Sequence, residues 1–376
     1  MITPLTTQLK TRHLPTAFVF LVFVFGMAAL SVLNDAADVS TLERRELSQS
    51  PSVSFERVVD GDFTEDYAEF LQDQMVFRDE FRFAKSFVER QVLRRSENNG
   101  VYVVGDRIYD KFYGIEDHFI DRAARLINEI TKDTRSANVL LSIIPTKAQM
   151  LDRNKYLLSD QNELADTLKE NTEAVYVDLM GLAKAGNERF YYASDPHWTT
   201  QGAIAAYEIL AGALGFQPVR DYEFEAVTDS FVGSDWGKAA SWSIDKDTIY
   251  LAHNDLLDGM SACRFESPET STCIDSVYFR DRGDDLDPYD VFLGGLSPII
   301  AIENPLAETD RELVIFKDSY AHSLAPFLAQ HFKTVTLFDL RFVRRQFILD
   351  NFDLSQKDVL FLYGTSVLNT DPQILN

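Results

Sequence analysis

The sequence predicts an α/β protein: a doubly wound parallel sheet flanked by helices, with a β-rich insertion and an apolar N-terminal transmembrane helix. Three observations predict it. Near-continuous apolar runs at 138–144, 313–316, 334–339 and 358–363 read as strands buried on both faces. Stretches with helical apolar spacing lie between such runs. Residues 222–300 break this rhythm with short alternating runs among Asp, Ser, Gly and aromatic residues, the mark of a β-rich insertion.

Composition sets outer bounds. The chain has 376 residues, 45% of them apolar, enough for a sizeable core. Its net charge is −23, from 36 basic and 59 acidic side chains. Such a surface repels phosphate backbones and anionic lipid headgroups, which argues against a nucleic-acid partner. Six histidines and two cysteines leave little material for a multi-metal enzyme.

Residues 1–13 carry Lys10, Arg12 and His13, and the apolar run Leu14 to Leu33 follows. That run has about the twenty residues a helix needs to cross a bilayer. The basic flank keeps 1–13 in the cytoplasm and places the body outside the cell, as a single-pass protein of the cell membrane. A cleaved signal peptide is the competing reading, but Met27-Ala28-Ala29 and Asn34-Asp35-Ala36-Ala37 match a small-x-small cleavage site poorly. Polar residues 34–53 read as a stalk, and 54–376 as the α/β domain. Cys263 and Cys273 flank a polar segment containing Pro268 and read as a local disulfide, which suits an exported body.

Along the body, Phe63 to Arg95 has helical spacing, and its charged residues Asp73, Arg78 and Asp79 read as a solvated face. Val101–Val104 and Arg107–Tyr109 read as a hairpin across Gly105-Asp106. A helix over 117–134, a strand over 138–144, a helix over 161–171 and a strand over 175–179 come next. A loop, 191–200, leads into a helix from Ala203 to Leu214, with threonines before it as caps. Within the insertion, Thr248–Leu251 and Ser276–Phe279 alternate like strands, and the acidic run Asp281 to Asp287 reads as a solvated hairpin end; a calcium site there lacks the EF-hand spacing. The strand at 313–316 then leads through Lys317-Asp318-Ser319 to a helix over 324–332.

Ligands of open parallel sheets bind beyond the carboxyl ends of the strands. Collected there are Lys147, Asp195, His197, Ser319 and Arg341. A serine hydroxyl needs a base to become a nucleophile, and the base needs an orienting acid. Ser319 as nucleophile, His197 as base and Asp195 as its partner satisfy that need, and the helix start after Ser319 favours a developing oxyanion. Plainer readings stand beside it: Ser319 or Asp318 as a helix cap, His197 as a packing residue next to Trp198, and Lys147 as a surface charge. His322 is a rival base whose spacing favours the outer face of the helix. Asp195 and His197 could instead ligate zinc or manganese, with His253 or His118 as a third ligand, although no metalloprotease or cysteine-cluster motif is present.

The stretch Asp195-Pro196-His197-Trp198-Thr199 with Gly202-Ala203 resembles the signature of the bacterial DHHW protein family. The blocks Asp73-Gln74, Phe77-Arg78-Asp79, Asn99-Gly100-Val101-Tyr102, Ile144-Pro145-Thr146-Lys147, Tyr289 to Gly295, Lys317-Asp318-Ser319-Tyr320, Pro326-Phe327-Leu328 and Asp339-Leu340-Arg341 match in order. Pro196 stands where the family name has a histidine, so His197 is the one base in the stretch. The family is similar to the SGNH-like domains of alginate O-acetyltransferases. The resemblance implies an SGNH-like sheet, Ser319, His197 and Asp195 in catalysis, no cofactor, and acyl transfer to or from a cell-envelope polysaccharide. The activity implied is that of an O-acyltransferase or O-acetylesterase. A membrane-bound acyltransferase is the implied partner. Lys147, Tyr320 and Arg341 are expected to contact an anionic or hydroxyl-rich substrate. Ordinary SGNH enzymes have Gly-Asp-Ser where this chain has Lys317-Asp318-Ser319, so the oxyanion donors are expected elsewhere, with the Gly294 and Gly295 amides as one source. A non-catalytic polysaccharide-binding or scaffold protein is the alternative.

Overall fold

A computed structural model describes residues 14–136, 138–184, 186–267 and 270–370. Residues 1–13, with Lys10, Arg12 and His13, and Pro268 lie outside the described residues. The chain divides into two compact units, one ending at Arg94 and the other beginning at Arg95.

The first unit starts with α1, Leu14–Leu33, a helix of 20 residues without a charged side chain. By length and composition it is able to cross a membrane. Strands β1 (Val39–Ser40) and β2 (Arg45–Glu46) pair, followed by α2 (Phe55–Asp60), α3 (Asp62–Asp73) and α4 (Arg78–Phe87). Arg45 grips Asp73 through two guanidinium nitrogens at 2.7 and 2.6 Å, and Gln74 bonds both the N–H and the carbonyl of Ala37. Asp73-Gln74 is therefore a fastener rather than a solvated face, and the Arg45 hydrogen bond holds the Asp73 carboxyl down at about 2. The predicted continuous helix breaks at 74–77, where Phe77 takes a left-handed φ of 57°.

The second unit opens with β3 (Glu97–Asn98), β4 (Val101–Val104) and β5 (Arg107–Asp110), a meander containing the predicted hairpin. Next come α5 (Asp117–Thr134), β6 (Val139–Ile144), α6 (Gln161–Asn171), β7 (Val175–Tyr176) and α7 (Thr200–Ala213). The insertion holds β8 (Glu223–Phe231), α8 (Ser234–Ala239), β9 (Asp247–His253), α9 (Asp255–Asp258), β10 (Ser261–Ser267), β11 (Thr270–Ile274) and β12 (Ile299–Glu303). The chain ends through β13 (Glu312–Lys317), α10 (Ala321–Ala329), β14 (Thr334–Phe338), α11 (Arg345–Asn351), β15 (Asp358–Gly364) and α12 (Thr365–Thr370).

The main sheet has eight strands in the order β11-β10-β12-β14-β13-β15-β6-β7. From β14 to β7 all pairings are parallel, and at the other edge β12, β10 and β11 run antiparallel. The sheet is thus mixed rather than parallel throughout, because the insertion lends it three strands. Side chains alternate across it. Leu313, Ile315, Leu360 and Leu362 face one core with α7 and α10, while Val314, Phe316, Val359 and Phe361 face another with α5, α6 and α11. Burial on both faces is why these strands read as unbroken apolar runs. Cys263 and Cys273 face each other across β10 and β11 and are joined by a disulfide, S–S 2.02 Å. Ser276–Phe279 is not a strand but contributes one bridge, Tyr278 to Phe292, and the acidic run forms short helical turns at Arg280–Asp284 and Pro288–Val291 instead of a hairpin end.

Candidate active site

β13 ends at Lys317, and the chain turns through Asp318 and Ser319 into α10. Asp318 shapes the turn. One of its carboxylate oxygens accepts from the Tyr320 N–H at 3.0 Å, and the other accepts from the Gly364 N–H at 2.6 Å at the end of β15. Burial pushes its pKa up, opposed by those N–H groups and by Arg341. Ser319 is left half-buried at the carboxyl edge of the sheet.

The imidazole arrives from the loop between β7 and α7. Tyr191 and Trp198 bridge its base, and the Tyr192 N–H bonds the His197 carbonyl at 3.1 Å, which closes the loop with Asp195-Pro196 at its tip. The Thr199 side chain accepts from the Gly202 N–H and starts α7. Gly202 has to be glycine, since a Cβ there would lie 2.1 Å from the Phe190 carbonyl oxygen.

Three functional groups meet. His197 Nε2 is 2.7 Å from Ser319 Oγ, and His197 Nδ1 is 2.6 Å from Asp195 Oδ1. The carboxylate assigns the ring proton to Nδ1 and leaves Nε2 to accept from the serine hydroxyl. Burial lowers the His197 pKa, but the charges of Asp195, Asp287 and Asp318 outweigh it, and the net shift is upward. Asp195 is 2% exposed; its second oxygen accepts from the Ser234 N–H at 3.1 Å.

Other predicted residues sit differently. Lys147 is 1% exposed, and its ammonium donates to the carbonyls of Asp195 (2.6 Å) and Tyr192 (3.1 Å) and pairs with Asp235 at 3.4 Å. It is not a surface charge: it holds the loop that carries Asp195 and His197. Arg341 is held by both oxygens of Asp339, at 2.8 and 2.7 Å, and Asp339 also takes Lys317 at 3.1 Å. Tyr320 donates from its hydroxyl to the Pro196 carbonyl at 2.8 Å, with its ring beside His197. Gly294 and Gly295 are left-handed residues of a turn. The Gly295 N–H donates to the Phe292 carbonyl at 3.3 Å, and the Asp290 carboxylate packs where a Gly295 side chain would sit. His322 is inside, 1% exposed, with Nε2 2.8 Å from the Lys317 ammonium; burial and then Lys317 hold its pKa well below the ordinary value.

The supports of the acid–base loop had no clear sequence signal. Asp247 accepts from the N–H groups of Ala193 and Ser194, each at 2.9 Å, and from the Ser194 hydroxyl. Gly233 presses against Asp195 so closely that a Cβ would lie 2.2 Å from the Asp195 Cβ. Of the predicted metal ligands, His253 is held between Asp258 and Glu225, and His118 lies beside Glu116. Among the described residues, no group of three or more His, Cys, Asp or Glu is placed to hold a metal ion. Two cavities of about 700 and 640 Å³ are lined by 133–135 with 346 and 349–355, and by residues such as Phe265, Ile299 and Phe347; neither includes Ser319, His197 or Asp195.

Two solved structures share this fold. A DHHW family protein from Eubacterium siraeum superposes with a TM-score of 0.60 at 22% identity, over 74% of this chain and 95% of that one. Bacillus cereus PatB1, solved with a sulfonyl adduct, gives 0.60 at 20% identity, over 73% and 97%. The O-acetyltransferase domain of Pseudomonas putida AlgJ lies further off, at 0.44 and 14% identity, over 72% and 93%. No curated protein matches the sequence. Residues 90–338 match the DHHW protein family along most of the chain, and this protein belongs to that family.

Proposed function

We propose that the protein is a serine-dependent O-acyltransferase or O-acetylesterase acting on a cell-envelope polysaccharide, built on an SGNH-like doubly wound core. The observation that carries this reading is the chain of contacts Ser319 Oγ to His197 Nε2 (2.7 Å) and His197 Nδ1 to Asp195 Oδ1 (2.6 Å). Ser319 Oγ attacks the acyl carbonyl carbon while its proton passes to His197 Nε2. Asp195 holds the tautomer and stabilises the imidazolium. The tetrahedral intermediate collapses, His197 returns the proton to the leaving alkoxide, and the acyl group stays on Ser319 as an ester. In the second half, a sugar hydroxyl or a water gives its proton to His197 and takes the acyl group, which restores the serine. The helix that begins at Ala321 points its positive end at the Ser319 turn, where oxyanion charge develops. The chemistry needs no cofactor, because the acyl group arrives on the donor.

The apolar helix Leu14–Leu33 supports a single-pass anchor, and the disulfide fits a body outside the cytoplasm. A membrane-bound acyltransferase supplying acyl groups is the proposed partner. Hydrolysis of a chromogenic acetyl ester, compared with Ser319→Ala, tests the reading, and a sulfonyl fluoride is a direct probe of the serine. Loss of both turnover and labelling in Ser319→Ala is expected. Equal turnover, or labelling that survives the substitution, refutes the triad. A wild-type protein inert to both reagents and to acetylated polysaccharide would leave the polysaccharide-binding scaffold as the better reading.

A further inference from the structure

The His197 ring lies against Tyr289. The two rings are 12° from parallel with centroids 4.2 Å apart, a stacked arrangement, while Tyr320 meets the imidazole tilted at 5.0 Å. Tyr289 is itself locked. Asp287 accepts from its N–H at 3.1 Å and, with Pro288, starts the short helical turn that carries it. Its hydroxyl is 2.9 Å from Ser323 Oγ, and the same oxygen accepts from Trp198 Nε1 at 2.9 Å. Phe292 and Tyr192 pack around it, and it is 2% exposed. Burial keeps its phenol protonated far above the ordinary range, so it meets the imidazole as a neutral ring.

Resting on the triad reading, we propose that Tyr289 is a positioning residue for the His197 base: its ring fixes the imidazole plane between Asp195 and Ser319 and stabilises the imidazolium formed when Ser319 gives up its proton. A ring face carries negative quadrupole charge, and its attraction for a cation grows where water is excluded. His197 is such a place, with 14% of its side chain exposed. The groups facing it are Asp195 on its own loop, Ser319, Tyr320 and the Asp318 charge from the β13–α10 turn, and Tyr289 with Asp287 from the insertion. The insertion thereby supplies the face of the base, while the acid and nucleophile come from the sheet edge.

The test is an NMR titration of His197 in the full chain in detergent micelles, with labelled histidines and His197→Ala for assignment. Tyr289→Phe is compared with mono-, tri- and pentafluorinated phenylalanine at the same position, which drain the ring face at nearly constant volume and so preserve packing. The His197 midpoint is expected to fall stepwise with fluorination, by roughly half a unit or more across the series. Tyr289→Leu is expected to lower it likewise, and the acidic limb of kcat/KM for ester hydrolysis follows the same shifts. A midpoint that stays constant across the fluorinated series overturns the proposal. The titration is repeated in Ser319→Ala, where no turnover is needed. Failure of the serine reading therefore shows in activity and labelling, and failure of the Tyr289 role shows in the titration.

Discussion

The two halves of the candidate site are built in different ways. Ser319 is placed by regular structure: a buried strand, a helix start, and the ion network Lys317–Asp339–Arg341 packed behind the turn. Asp195 and His197 sit on an irregular loop held by groups far away in sequence, namely Lys147, Gly233, Ser234 and Asp247. The Ser319 half therefore inherits the stability of the sheet. The Asp195–His197 half depends on a few contacts from residues distant in sequence, and small displacements there act on chemistry before they act on folding.

The largest expected effect belongs to both halves at once. Ser319→Ala is expected to lower kcat for ester hydrolysis by about a millionfold, the scale seen when a triad loses its nucleophile, and Asp195→Asn by about ten-thousandfold, the scale seen when tautomer control is lost. The two defects are not additive, so the double variant is no worse than the worse single one. Multiplicative losses in steady-state kinetics would show that the residues act separately.

The next two predictions break the comparison if it is wrong. Lys317→Met removes a cation that is 0% exposed and leaves Asp339 to Arg341 alone. Its cost is expected in stability, about 3 kcal/mol by chemical denaturation, because one partner of a buried pair is lost. Gly233→Ala is the opposite case. The added methyl meets the Asp195 Cβ and Cα and the Ser194 carbonyl, so it must displace the carboxylate and its backbone: kcat falls on the order of a hundredfold, beside an overpacking cost of about 1–3 kcal/mol in stability. A Gly233→Ala variant with full activity, or a Lys317→Met variant with unchanged stability, would mean that the halves are not built as described.

How much of this was legible in the sequence follows the same division. β6, β13, β14 and β15 lie where their apolar runs place them, because burial on both faces leaves an unbroken signal. Asp195, His197 and Ser319 were visible as chemistry at strand ends, and their proximity is a matter of tertiary structure alone. The mixed edge of the sheet was not visible, since β10 to β12 read as short runs in a polar region that names no partner. Nor were the supports. A buried lysine, a glycine against a carboxylate and an aspartate gripping two amides look in sequence like any Lys, Gly or Asp. The place of Lys147 after a strand does not reveal that its ammonium is buried against the carbonyls of Tyr192 and Asp195.

Smaller effects sharpen the picture. Because Asp195, Asp287 and Asp318 raise the His197 pKa against the effect of burial, the neutral base is lost as pH falls through a value above the usual ~6.5. Hence kcat/KM is expected to rise with pH along a limb centred above that value. A limb below it would mean that burial dominates. Replacing Cys263 and Cys273 together by serine opens a link between edge strands β10 and β11 and is expected to cost about 2–3 kcal/mol, with little change in kcat.

The central claim, that Ser319 carries the acyl group, is tested most directly by intact-protein mass spectrometry after brief exposure to an activated acetyl donor, followed by peptide mapping. One added acetyl group on Ser319, absent in Ser319→Ala, is the predicted result. No adduct on Ser319 in a protein that turns the same donor over would contradict it.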